Sequence, residues 1–176
     1  MRWIFLRSIT ELEPGRIIRG TACFPSDLEL FQDHFPGWPV VPGVLLLEAM
    51  AQLAGKGIGY SVRLQRGDWP FPILSMMQNV KFRKFVRPDV EVELEAEFEA
   101  LRDESAALRV RTRCDGRTMA QAEQVFVFNA VPLEDPAHRA KLEETEKGEL
   151  ARLWPGFQAS AWDAAGAGAI RAGSPI

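Results

Sequence analysis

Three features of this 176-residue sequence point to an α+β domain in which an antiparallel sheet wraps one long buried helix. A stretch of helical composition starts at Gly43 and is apolar on every face. After it the hydrophobic period changes from helical to two, in segments separated by turn residues. Two of those segments carry alternating Glu and Arg at matching positions, as the two arms of one hairpin would.

The helix is expected to run from Gly43 to about residue 55 or 57, with the body VLLLEAMAQLA. A helix that is apolar all round belongs in a large core or a membrane, and this one is far shorter than the roughly 20 residues of a membrane span. Its strongly polar residues, Glu48 and Gln52, are four apart and share one face. Before it, residues 31–43 (FQDHFPGWPVVPG) place Pro36, Pro39 and Pro42 three residues apart. Proline fixes φ and extends its predecessor, so this loop should be stiff. Residues 61–72 read as a loop rich in Gly, Trp and Pro.

Strands are expected at 15–24, 73–86, 90–100, 106–114 and 118–128. In 90–100, Val92, Leu94 and Ala96 alternate with Glu91, Glu93, Glu95 and Glu97, the pattern of a half-buried antiparallel strand. A single register sets Glu97 opposite Arg109, Glu95 opposite Arg111 and Glu93 opposite Arg113, each pair contributing about 0.2–1 kcal/mol. Asp115-Gly116 is a hairpin turn signal. The helix followed by a meander of long strands is the layout of a hotdog fold. From about Pro132 the composition changes. Residues 1–133 are therefore assigned to the folded domain. Residues 134–154 form an exposed polar helix, and 155–176 an Ala/Gly-rich tail, poorly ordered or packed on a partner.

With 47% hydrophobic and 26% charged residues, the chain is globular and not disordered. A net charge of −3 and a sequence pI near 5.5 lack the basic excess of a nucleic-acid binder. Cys23 and Cys114 stand in no metal or redox spacing, and no metal or other cofactor is expected. No signal peptide or membrane span is recognised, so a cytoplasmic location is expected.

The stretch 34–52, HFPGWPVVPGVLLLEAMAQ, resembles the signature of the bacterial 3-hydroxyacyl-[acyl-carrier-protein] dehydratases of type II fatty acid synthesis. The matching elements are His34-Phe35-Pro36-Gly37, Pro39-Val40, Pro42-Gly43-Val44 and Glu48-Ala49-Met50-Ala51-Gln52, with a weaker continuation through Val80-Lys81-Phe82-Arg83 and Pro88. The likeness covers roughly residues 20–130. It implies dehydration of 3-hydroxyacyl thioesters carried on acyl carrier protein or coenzyme A. It also implies a homodimer, or a trimer of dimers, in which His34 of one subunit works beside Glu48 of the other.

The residue types suit that chemistry. Dehydration needs a base for the C2 proton, an acid for the departing C3 hydroxyl, and a donor for the thioester oxygen. An imidazole titrates near working pH, which suits His34 as base. A carboxylic acid among apolar neighbours stays protonated or finds a partner, which suits Glu48 as acid. The first N–H groups of a helix lack intrahelical partners, and glycine admits a close approach to them. By the resemblance, the Gly43 N–H holds the thioester oxygen and the Val40 carbonyl accepts from the second ring nitrogen of His34. Gln52 either supports Glu48 or satisfies a nearby backbone group. Lys81, Arg83, Lys84 and Arg87 form a basic cluster suited to an acidic carrier or a coenzyme A phosphate, or else an ordinary solvated face.

The sequence departs from the family pattern at Asp33, Trp38 and Asp89 and beyond residue 133. Two other readings stay open: a non-catalytic hotdog subunit that binds acyl carrier, and a hotdog acyl thioesterase.

Overall fold

The computed structural model describes residues 4–129 and 135–172. The expected domain boundary at 133/134 lies outside the described residues. Six strands form one antiparallel sheet: β1 (Leu6–Glu13), β2 (Ile17–Ala22), β3 (Pro72–Phe82), β4 (Val92–Leu101), β5 (Ser105–Cys114) and β6 (Arg117–Phe128). Their spatial order is β1-β2-β4-β5-β6-β3. Helix α1 (Gly43–Arg66) packs against β2, β4, β5 and β6. This is the hotdog architecture expected from the sequence.

The hairpin β4–β5 adopts the expected register, with Glu97 opposite Arg109, Glu95 opposite Arg111 and Glu93 opposite Arg113. The Arg111 guanidinium meets Glu95 at 2.8 Å, and Arg19 on β2 reaches the same carboxylate at 2.7 Å from the other side. Burial pushes the Glu95 carboxyl up, but the Arg19 hydrogen bond and the charge of Arg111 outweigh it and hold the group below its ordinary value. On the opposite face Val92, Leu94 and Ala96 are buried against the helix. The β5–β6 turn has positive φ at both Asp115 and Gly116, the conformation that Asp-Gly supplies in a two-residue hairpin.

Four expectations need correction. Helix α1 continues to Arg66, so residues 61–66 are helical and not loop. At Gly57 and Gly59, neighbours occupy the space of the missing side chains. A Cβ on Gly57 would stand 2.9 Å from Ile18, and one on Gly59 2.7 Å from the Trp69 indole nitrogen. The helix stops at Gly67, which takes the left-handed conformation (φ 80°). Second, the strands do not form a simple meander. β3 pairs with the last strand, β6, and so becomes a sheet edge. It ends at Phe82, short of the expected residue 86. Third, β1 adds a strand that the hydrophobic pattern does not predict. Register shifts after Leu6 and Ile9 bring Leu6, Ile9 and Leu12 inward at a spacing of three, which hides the period of two.

The fourth correction concerns the C-terminal extension. The polar helix is present as α2 (Pro136–Leu153), with Pro136 at its first position and Asp135 capping it through the Ala137 N–H at 2.9 Å. It is not simply exposed, because Leu150 and Leu153 are buried. The expected tail forms α3 (Ala159–Ala172), which packs on α1. Trp162 anchors it. The ring is buried, stacks on Tyr60 at 6.3 Å and lies under the Arg63 guanidinium at 5.2 Å. One aromatic side chain of that size can dock a helix whose other residues are mostly Ala and Gly. Among the described residues, no helix is long and apolar enough to cross a membrane.

Candidate active site

The proline-rich loop carries His34 to the entrance of α1. Hydrogen bonds from the His34 N–H to the Leu30 carbonyl (3.1 Å) and from the Val40 N–H to the His34 carbonyl (3.0 Å) pin its backbone. The His34 ring places Nδ1 3.2 Å from the Val40 carbonyl oxygen. A carbonyl only accepts, so Nδ1 holds the proton of this contact and Nε2 faces away from it. The Phe35 ring stacks on the imidazole at 4.4 Å. Asp33 is exposed.

Gly43 opens α1. Its neighbour Pro42 is the N-cap and offers no side-chain cap, and the first turn contains no acidic residue. The exposed end of that turn therefore presents N–H groups and the positive end of the helix dipole. The Phe82 ring lies over Gly43, where an added Cβ would stand 2.6 Å from it. Glycine lets the ring close over the start of α1.

One turn further, half-buried Glu48 receives a hydrogen bond from Gln52 Nε2 at 3.0 Å. The Phe5 N–H donates to Gln52 Oε1 at 3.1 Å. An N–H can only donate, so this second contact orients the amide and turns its NH2 group toward Glu48. Of the two roles open for Gln52, it takes both: it supports the carboxyl and satisfies a backbone group.

Glu48 and Gln52 line a cavity of about 400 Å³. Sequence reasoning missed most of its wall, which includes Trp69, Phe71 and Leu74, with Lys56, Glu146 and Glu149 at one end. A signal existed: Glu48, Gln52 and Lys56 follow at intervals of four along α1. His34 and Gly43 are not among the residues lining this cavity. The His34–Val40 contact stands on the loop before α1, and the Glu48–Gln52 contact on α1 itself.

Lys56 bonds both Glu146 and Glu149 through its ammonium. Burial opposes its charge, but the two carboxylates prevail and hold Lys56 above its ordinary value. One cation cannot neutralise two anions. Burial therefore dominates at Glu146 and pushes its carboxyl up. The folded state then binds the Glu146 proton more tightly than the unfolded chain does. That contribution to stability should fall as pH rises from the ordinary carboxylate range toward the raised value. Glu146→Gln should flatten the fall in urea midpoint as pH rises above the ordinary carboxylate range. Equal slopes for wild type and variant would contradict this.

Lys81, Arg83, Lys84 and Arg87 are all exposed, at the end of β3 and in the loop after it. Arg83 Nε bonds the Gln121 side-chain oxygen at 3.1 Å, and Arg87 lies over the Trp38 ring at 5.2 Å. Trp38 in turn meets Phe85 edge-on at 5.6 Å. Asp89, where the resemblance expects glycine, has φ 61° and accepts from the Ser26 N–H at 2.9 Å. Asp tolerates the left-handed region through such local bonds, which explains the exchange. Among the described residues, no group of three or more His, Cys, Asp or Glu could hold a metal ion.

The sheet wrapped on one buried helix, with His34 on the loop before it and Glu48 within it, is the hotdog arrangement. The profile of the ApeI-like dehydratases (ApeI dehydratase) matches residues 11–123, and the chain belongs to this family. Among curated relatives, the 3-hydroxyacyl-[acyl-carrier-protein] dehydratase FabZ of Lactobacillus helveticus is 32% identical over 124 residues, covering 70% of this chain and 82% of that one. FabZ of Erythrobacter litoralis is 33% identical over 129 residues, covering 73% and 82%. Solved structures share the fold. The dehydratase heterocomplex ApeI:P from Xenorhabdus doucetiae superposes with a TM-score of 0.61 at 13% identity, covering 80% of this chain and 89% of that one. A hypothetical thioesterase with coenzyme A from Streptococcus pneumoniae gives 0.52 at 11% identity, covering 69% and 86%.

Proposed function

We propose that the protein dehydrates 3-hydroxyacyl thioesters to trans-2-enoyl thioesters during acyl-chain synthesis in the cytoplasm, as a homodimer with shared active sites. The observation that carries the reading is an imidazole oriented on the loop that enters α1, together with a carboxyl held by Gln52 on that helix. His34, its Nδ1 proton held on the Val40 carbonyl, takes the C2 proton through Nε2. The charge that develops on the thioester oxygen rests on the Gly43 N–H. Glu48 gives its proton to the C3 hydroxyl, the C3–O bond breaks, the C2–C3 double bond forms and water leaves. Gln52 occupies Glu48 Oε1 and leaves Oε2 for the substrate. The proton on His34 returns to Glu48 through solvent, which completes the cycle.

Two features support the dimer. β3 is an edge strand exposed from Ser75 to Phe82, and Met76, Met77, Val80 and Phe82 there are large apolar side chains open to solvent. Such an edge is a template for pairing with a second strand. In addition, His34 is not among the residues lining the cavity that Glu48 lines, a gap that the His34 of a second subunit would fill. We infer a two-fold dimer through β3 in which the His34 loop of each subunit meets the cavity of the other. Lys81, Arg83, Lys84 and Arg87, with Trp38 beside them, offer a basic and aromatic rim for an acidic carrier or the phosphates of coenzyme A.

The test is hydration of crotonyl thioesters, carrier-linked and coenzyme A-linked, followed by loss of the enoyl absorbance. Hydration supports the dehydratase. Thiol release without hydration identifies a thioesterase, and neither reaction with either handle identifies a non-catalytic subunit.

A further inference from the structure

We propose that α2, from the C-terminal extension, forms the floor of the acyl pocket and restricts the enzyme to short- and medium-chain acyl thioesters. This rests on the dehydratase reading of Glu48. Glu48, Gln52 and Lys56 occupy one face of α1, and all three line the same cavity. Eight residues of helix separate Glu48 from Lys56, an axial distance of about 12 Å. Much of the wall is apolar, with Phe71, Leu74 and Phe126 among it, whereas Lys56, two turns of α1 beyond Glu48, gathers Glu146 and Glu149. An acyl chain whose C3 sits at Glu48 therefore extends along α1 toward an ion cluster.

That cluster is a poor end-wall to penetrate. The side chains of Lys56 and Glu146 are each only 12% exposed, and the cluster holds one more carboxylate than ammonium. A methylene tail entering it would strip away the remaining water and replace it with nothing that hydrogen-bonds. Nor can the wall swing aside readily. Leu150 and Leu153 anchor α2 in the core, Glu143 pairs with Arg63, and Arg139 donates to the Trp69 carbonyl at 2.6 Å. With roughly one helical turn taken up by the cluster, about 6–8 Å remain beyond C3. An extended chain advances about 1.2 Å per bond, so acyl groups of about eight to ten carbons fill the pocket. The floor lies outside residues 11–123, the segment matched by the family profile. The length limit is accordingly a property of this chain's extension.

The experiment compares hydration of crotonyl, trans-2-octenoyl and trans-2-tetradecenoyl coenzyme A. Calorimetric binding of saturated octanoyl and tetradecanoyl coenzyme A, which have no double bond to hydrate, runs in parallel. Wild type should show kcat/KM for tetradecenoyl at least about 100-fold below octenoyl and should bind only the shorter saturated ligand. The triple variant Lys56→Ala/Glu146→Ala/Glu149→Ala removes the cluster without leaving a lone buried charge. It should raise the tetradecenoyl-to-octenoyl ratio about tenfold or more. If it does not fold, Glu149→Ala should move the same ratio in the same direction. Equal binding of both lengths by wild type would overturn the floor, as would an unchanged ratio in a folded variant. Length-selective binding with no turnover at any length would strike the dehydratase reading and leave the floor standing.

Discussion

Glu48→Gln is expected to lower kcat for crotonyl thioester hydration by about three orders of magnitude, with His34→Ala close behind. Glutamine preserves the size of Glu48 and its contact with Gln52, because the substituted amide oxygen can accept where the carboxyl oxygen did. It removes only the transferable proton. KM should therefore change little while kcat collapses, the signature of an interaction used in the transition state. His34→Ala removes the base and its contact with Val40. The double variant should be no worse than the more severe single one, because base and acid act as a unit. Both side chains are only partly buried, so thermal unfolding should shift by little. A single variant that keeps a tenth or more of the wild-type rate at an unchanged melting temperature would remove that residue from the mechanism.

The centre of this arrangement was legible in the sequence because its determinants are local. Prolines at 36, 39 and 42 stiffen the loop, Gly43 begins the helix, and Glu48 and Gln52 share a face whatever surrounds them. The Glu–Arg ladder was legible for the same reason, since opposite charges at a spacing of two permit one register, which β4 and β5 adopt. What escaped depends on distant partners. The glycines at 55, 57 and 59 look like a helix end until Ile18 and Trp69 fill the space beside two of them. β3 looks like the neighbour of β4 until β6 pairs with it. The extension looks like a polar helix and a loose tail, because two leucines on α2 and one tryptophan on α3 make up its buried anchor. The cavity combines residues from α1, α2 and several strands, and no short motif encodes it.

The central claim is that a working site draws His34 from one subunit and Glu48 from another. Mixing the two inactive single variants tests it directly. In a two-fold dimer, a heterodimer of His34→Ala and Glu48→Gln contains one site with both substitutions and one with neither. Subunits exchanged at equal ratio give about half heterodimers, each with one intact site of two, and hence about a quarter of the wild-type rate. Refolding the variants together and measuring crotonyl thioester hydration should restore that activity from two nearly inactive preparations. If the mixture stays as inactive as its components although subunit exchange is demonstrated, each site takes both residues from one chain, and the shared-site account is wrong.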